Sequence, residues 1–210
     1  MSEVEIKIFG LQRSGNNWLS LILKKSYKNV RLMGNDEAGW KHGMYRIPEV
    51  LGRECHVIIL SKEPYCWLPS IFKYRAGRHE ASANFKQFLN GSSSIELYNL
   101  MYAHWLDVEL REKQKIIIAY ETLLADPLLA CGWIADCLKL ERKTKNLFVP
   151  NKHMKKNNTE SKRPFDPKYY LERKYMSKFN GEMLEIVNPR IDWELVKRLR
   201  HKTSFVGALA

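Results

Sequence analysis

A change of hydrophobic period within the first two dozen residues constrains this chain more than any other feature. Val4, Ile6 and Ile8 alternate with Glu5 and Lys7 and run into Phe9-Gly10, the pattern of a β-strand closed by a turn residue. From Trp18 the spacing becomes helical, with Trp18 and Ile22, and Leu19 and Leu23, as i, i+4 neighbours. Between them stand Arg13, Ser14, Gly15, Asn16 and Asn17: a cation, a hydroxyl, a flexible backbone and two amides at a helix N-terminus. Unpaired N–H groups and the helix dipole make such a place suited to an anion. Taken alone, the same residues also suit a plain βα turn with Asn16 or Asn17 as the helix cap.

Further along, Cys55–Leu60 is a continuous apolar run of the kind buried in parallel sheets and Lys115–Glu121 a second such strand, and Asn29–Met33 is a weaker strand candidate. Ser93-Ser94-Ile95-Glu96 reads as a capping box before a helix with Ile95, Tyr98, Tyr102, Trp105 and Leu106 on one face. Asp126-Pro127 opens another helix, with Leu128, Cys131, Ala135 and Leu138 as its apolar face. If a helix begins at Pro64, Pro69 should kink it before Ser70. Tyr74 to Gly91 is basic and irregular, a mobile acceptor-side segment apart from a short helical piece at Phe85–Leu89. The order β-α-(β)-β-α-α-β-α predicts an α/β fold: one domain over 1–210 with a central parallel sheet flanked by helices. The core spans about 1–140 and a basic loop about 142–165. C-terminal helices occupy about 167–202, one from Asp166-Pro167 to about Val187 and one from Asp192 to near His201, with a break at Asn188-Pro189.

A length of 210 residues, 45% hydrophobic, suffices for one proper core. No run reaches the ~18 apolar residues of a membrane span and no signal region opens the chain, so a cytoplasmic, membrane-free protein is expected. Cys55, Cys66, Cys131 and Cys137 have no metal or redox spacing and are expected to be reduced and structural. A net charge of +12 predicts attraction to anionic ligands or polyanions.

The loop lacks the Gly-Lys-Ser/Thr ending of triphosphate-binding loops, and with it the hydroxyl that would hold Mg²⁺. Arg13-Ser14-Gly15-Asn16-Asn17-Trp18-Leu19 resembles instead the phosphosulfate loop of the sulfotransferases that use 3′-phosphoadenosine 5′-phosphosulfate (PAPS), whose pattern is Lys/Arg-Ser-Gly-Thr/Ser/Asn-Thr/Ser-Trp-Leu. Two further landmarks come in order. Lys62-Glu63-Pro64 with Ser70 is similar to the family's Arg-Asn/Asp-Pro motif, whose Arg and Ser hold the 3′-phosphate. Here Lys replaces the two-pronged Arg, and Cys66 replaces an Asp, so looser nucleotide binding is implied. Tyr120-Glu121 before Asp126-Pro127 resembles the third landmark, whose Tyr lies on the adenine side.

The resemblance implies a P-loop-like phosphosulfate site after the first strand and in-line transfer of a sulfuryl group from PAPS to a hydroxyl or amine. Arg13 would neutralise charge on the bridging oxygen, and Ser14, Gly15, Asn16, Asn17 and Trp18 would hold the 5′-phosphate. Lys41-His42 resembles the family's Lys-His on a strand, which makes His42 the base and Glu37 or Asp36 its substitutes. Lys62, Ser70 and Tyr120 would bind the nucleotide. Lys155, Lys156, Lys162 and Arg163 would close over it by position, since the family's Arg-Lys-Gly tripeptide is absent. No metal is implied, and the partners are the nucleotide donor and a small-molecule or glycan acceptor. Two other readings compete. A nucleotide kinase-like phosphotransferase would share the loop but need Mg²⁺; a basic nucleic-acid-binding protein would account for the charge, although three ordered landmarks argue against nucleic acid as partner.

Overall fold

The alternating N-terminal strand and the apolar runs assemble into one parallel sheet in the order β2-β1-β3-β4, where β1 is Val4–Phe9, β2 Val30–Leu32, β3 His56–Ser61 and β4 Lys115–Ala119. The computed structural model describes residues 2–43, 55–78, 84–107, 115–154 and 160–199, with the backbone alone at 38, 153–154 and 160–163. β3 pairs with β1 on one side (Ile8 opposite Ile58) and β4 on the other (Ile58 opposite Ile116). Both its faces are covered by helices, which is why it reads as an unbroken apolar run.

Alternate residues of the strands enter separate cores. Ile6, Ile8, Ile58, Leu60, Ile116 and Ile118 pack with α1 (Asn16–Ser26), α6 (Tyr120–Ala125) and α7 (Pro127–Leu138). Phe9, Val57 and Ile59 face the opposite way. They meet α3 (Pro64–Ala76), α4 (Phe85–Gly91), α5 (Ser94–Asp107) and the C-terminal elements. The short α2 (Asn35–Ala38) lies between β2 and the turn at 41–42.

Several expectations are corrected. The strand expected over Lys115–Glu121 stops at Ala119, and Tyr120 and Glu121 open α6. α3 runs on through Pro69 to Ala76, so Tyr74–Ala76 are helical rather than irregular. On α7 the buried set is Ala130, Cys131, Ile134, Ala135 and Leu138; Leu128, in the first turn, points outward. Glu96 does not close a capping box, because its carboxylate accepts from Arg190 Nε at 2.7 Å and Nη2 at 2.8 Å. Cys137 lies exposed on α7, while Cys55, Cys66 and Cys131 are buried, and all four are free thiols.

The basic stretch after α7 is stitched to the rest of the molecule before it reaches the site. Lys28 N–H donates to Glu141 O and Lys143 N–H to Ser26 O, both at 2.8 Å. Trp18 Nε1 donates to Pro150 O at 3.3 Å. Beyond Pro150 the chain forms an antiparallel pair, β5 (Lys152–Met154) and β6 (Glu160–Pro164), rather than a plain loop. The single helix expected to Val187 is three pieces: α8 (Lys168–Leu171), a 3₁₀ turn at Lys174–Lys178 and α9 (Gly181–Val187). Arg173, left-handed at φ 53°, ends the first, and Asn180, whose side chain accepts from Met183 N–H, starts the last. After a turn at Asn188–Arg190, Asp192 caps α10 (Trp193–Arg198) as anticipated; His201 lies outside the described residues. Among the described residues no helix is long and apolar enough to cross a membrane.

Candidate active site at the carboxyl ends of the strands

Gly15, rather than an asparagine, precedes α1, at φ 95° and ψ 7°, and no side chain caps the helix end. A Cβ on Gly15 would lie 2.5 Å from the Tyr120 ring, so both the backbone conformation and the close approach require glycine here. The first-turn N–H groups of α1 thus head toward the loop's open side, as at any helix N-terminus, with Trp18 N–H turned back to Gly15 O at 2.9 Å. Arg13 is left-handed too, at φ 71°, which costs a non-glycine residue roughly 1–2 kcal/mol. Neighbours hold it there. Ser14 N–H bonds Leu11 O at 3.1 Å, Trp67 Nε1 bonds Gln12 O at 2.8 Å, and Lys62 Nζ donates to Arg13 O at 3.4 Å.

The side chains of the loop divide their tasks. Ser14 is buried, with Oγ 3.2 Å from Tyr102 OH, so its hydroxyl anchors the loop to α5. Asn16, also buried, donates to Gly10 O at 2.9 Å and leaves Oδ1 without a partner among the described residues. Asn17 Oδ1 accepts from Lys41 Nζ at 2.5 Å, which brings a second cation to the helix end. Burial lowers the Lys41 pKa.

Lys62 and Ser70 are the residues expected to share a phosphate. Lys62 is 2% exposed, its ammonium under the Arg13 carbonyl and over the rings of Tyr120 (5.1 Å) and Tyr170 (4.7 Å). Ser70, one turn along α3 from Cys66, lines a cleft of about 1190 Å³ together with Arg13, Tyr74, Arg78, Tyr169 and Tyr170. Tyr120 packs edge-on to Trp18, with 6.5 Å between ring centroids. Lys155 and Lys156 lie outside the described residues. Lys162 and Arg163 fall on β6, where only the backbone is described.

His42 stands on a turn after α2, not on a strand. Gly10 N–H bonds Lys41 O at 3.2 Å, and His42 Nδ1 lies 2.5 Å from Gly10 O. A carbonyl can only accept, so Nδ1 carries the proton and Nε2 is the basic nitrogen. Burial pushes the His42 pKa down to about 4, and the positive charges of Lys41 and Lys7 act the same way; the bond to Gly10 works against them. The ring is therefore neutral near pH 7. Lys7, on β1 and 1% exposed, donates to Gly34 O at 2.7 Å and Gly39 O at 2.6 Å, fixing both ends of α2. Burial and the Lys41 charge lower its pKa to about 8. Glu37, the alternative base, is engaged on both oxygens, by Arg31 and by Gly34 N–H.

The structure thus gathers the 13–18 loop, Lys62, Tyr120 and His42 at the ends of β1, β3 and β4. Sequence reasoning placed Tyr74 and Arg78 only within an acceptor-side segment and singled out neither them nor Tyr170 as site residues. Tyr170 comes from more than a hundred residues downstream, and no local pattern marks it. Lys41 was visible only as the neighbour of His42.

No family model matches the chain, and no curated relative does. Solved structures do. Mouse sulfotransferase SULT7A1, crystallised with PAP (3′-phosphoadenosine 5′-phosphate), aligns over 97% of this chain and 87% of its own at 16% identity, with a TM-score of 0.58. A sulfotransferase domain from the curacin biosynthetic pathway aligns over 90% of this chain and 97% of its own at 10% identity; a sulfotransferase from Alicyclobacillus acidocaldarius aligns over 96% and 100% at 12%. Both give a TM-score of 0.48. The parallel sheet flanked by helices is the sulfotransferase fold.

Proposed function

We propose that this chain is a PAPS-dependent sulfotransferase that transfers a sulfuryl group to a hydroxyl or amine. The observation that carries the reading is the N-terminus of α1, which has no side-chain cap and meets Arg13 and Lys41 at a loop whose backbone is held open by Gly15. Helix N–H groups and two cations suit the donor's phosphosulfate, and no chemistry at the loop requires a triphosphate. Ser70 and the Tyr120 and Tyr170 rings would take the rest of the nucleotide, with Lys62 supporting from beneath the loop.

In the transfer, the acceptor oxygen or nitrogen attacks sulfur in line. The new bond to sulfur forms as the bond from sulfur to the bridging oxygen breaks, and that oxygen leaves with PAP. The acceptor's proton passes to His42 Nε2, a role worth ~10²–10⁴ in rate. Arg13 stabilises charge growing on the leaving oxygen, so most of the catalysis is positioning and electrostatics.

Calorimetric titration with PAP, with and without Mg²⁺, tests the donor assignment. Low-micromolar, metal-independent binding is expected, and no measurable binding overturns it. Radiolabelled PAPS with a panel of phenols, amines and sugars then tests transfer.

A further inference from the structure

The layer formed by α1 and α7 gathers cations far from the candidate site. α1 advances roughly 16 Å from the 13–18 loop to its end at Ser26, and there Lys24, Lys25 and Lys28 are exposed. The chain that follows α7 joins them. Lys143 Nζ donates to Lys24 O at 2.9 Å, Asn29 Nδ2 to Lys139 O at 3.3 Å, and Arg142 Nη1 to Lys145 O at 3.2 Å. Against these seven cations the same stretches carry three carboxylates, Asp126, Asp136 and Glu141, and none of the seven is in an ion pair among the described residues. Helix dipoles account for Lys24, Lys25 and Lys139 at the carboxyl ends of α1 and α7. They do not account for Arg142, Lys143 and Lys145, nor for the side chains beside them.

Those side chains are apolar. Of the eight large hydrophobic residues exposed among the described residues, five belong to this layer: Leu128, Leu129, Trp133, Phe148 and Val149. Leu129, 71% exposed, and Trp133 are i, i+4 neighbours on the outward side of α7. Leu128 and Val149 line one depression of about 400 Å³ together with Lys145 and Leu147. Phe148 N–H donates to Ser26 Oγ at 3.0 Å, which seats this residue beside the lysines of α1. Apolar side chains scattered singly need no explanation, but a group rimmed by cations marks a contact surface.

We propose that this layer is a docking face for an anionic lipid bilayer: Leu128, Leu129, Trp133, Phe148 and Val149 enter the boundary between headgroups and acyl chains, while the lysines and Arg142 around them meet the anionic headgroups. A chain with no spanning segment can still lie on a bilayer in this way, held by buried apolar area and by charge together. A soluble polyanion would engage the cations and leave the aliphatic side chains in water. A second copy on the same face would set two groups of cations against each other. α3, which lines the cleft, packs on the other face of the sheet, so docking leaves the cleft uncovered. The contact is independent of the donor assignment.

Co-sedimentation with vesicles is the test. At ~0.1 M salt the protein should partition onto phosphatidylcholine vesicles containing about 30% phosphatidylserine at least about tenfold more strongly than onto phosphatidylcholine alone. Leu129→Gln should lower that partitioning about fivefold or more, and Lys143→Ala combined with Lys145→Ala about tenfold or more. Removing the same charge from α4 and α10 in the opposite layer, by Lys86→Ala with Lys197→Ala, should change it less than about twofold. All these positions are on the surface, and unchanged melting temperatures verify folding. No preference for the anionic vesicles, or no binding to them, overturns the proposal. So does full binding by Leu129→Gln, which would leave attraction by charge alone, and so does an equal loss from the opposite layer, which would assign the effect to net charge. Polyglutamate bound as tightly as the vesicles would assign the cations to a soluble polyanion, and a Leu129-dependent dimer without vesicles would assign the face to a second copy; either result overturns the proposal.

Discussion

Three groups set the protonation of His42: Gly10 O fixes the proton on Nδ1, while Lys41 and Lys7 add to burial in disfavouring the imidazolium. A base with a pKa of about 4 is weak, and an anionic donor beside it would raise that value by opposing the two lysines. Addition of PAP should therefore move the His42 titration midpoint upward, read from histidine NMR shifts; an unmoved midpoint would separate His42 from the donor site. The acid limb of kcat/KM, which reports the free enzyme, should fall near pH ~4–5, and that of kcat at higher pH. His42→Ala should cut turnover by roughly two orders of magnitude with PAP affinity nearly intact. The same residue sets a stability slope. The folded pKa of about 4 is below the ordinary 6.5, so the unfolded chain takes up a proton first; stability is complete above about 6.5 and is lost as pH falls toward 4. Melting temperature against pH should be steeper there in the wild type than in His42→Ala. Gly15→Ala meets both a forbidden φ and the Tyr120 ring, and should abolish PAP binding or folding together with it. Lys62→Ala removes support from the Arg13 carbonyl, so it should weaken adenosine 5′-phosphosulfate and PAP by similar factors in calorimetry. A loss confined to PAP would restore Lys62 to the 3′-phosphate.

At the scale of elements, local pattern made the fold legible. The β1-loop-α1 unit shows its change of period within twenty residues, and β3 and β4 show continuous apolar runs. Caps at Asp126 and Asp192 sit one residue before their helices. The failures share a cause: partners supplied from far along the chain. Glu96 looked like a capping-box residue until Arg190 took its carboxylate, and the helical pattern after Asp166 broke where Arg173 turned left-handed. The 13–18 loop was readable because its residues are close in sequence; the cleft was not, because α3, the 164–170 stretch and Lys178 meet only in the fold. α2 gives an element-scale prediction. Lys7 bonds the carbonyls at both of its ends, so Lys7→Met leaves two acceptors unpaired at a cost of about 1–3 kcal/mol each. Urea unfolding should show that loss. Turnover should fall further than PAP affinity, since the turn bearing His42 hangs from α2.

For the molecule as a whole, the +12 charge and the cationic cleft would make the proposed nucleotide binding sensitive to screening. With a Debye length of ≈ 10 Å at 0.1 M salt and ≈ 3 Å at 1 M, PAP affinity should weaken several-fold across that range, whereas a ligand held by apolar contacts would be nearly indifferent. The two cores on either side of the sheet are independent of salt in the same experiment and give the reference: melting temperature should change much less than affinity.

The attachment of α2 has a kinetic consequence. The 13–18 loop is rooted in β1 and α1, whose amides are sealed between buried layers and exchange with solvent only when much of the molecule opens. The turn with His42 follows a four-residue helix that Lys7 and Arg31 tie to β1 and to the three-residue edge strand β2, and it meets β1 itself at Gly10, beyond the strand's end. Its hydrogens should exchange far sooner. Gentle warming would then silence proton abstraction first, in a population that still captures the donor nucleotide and guards it without spending it.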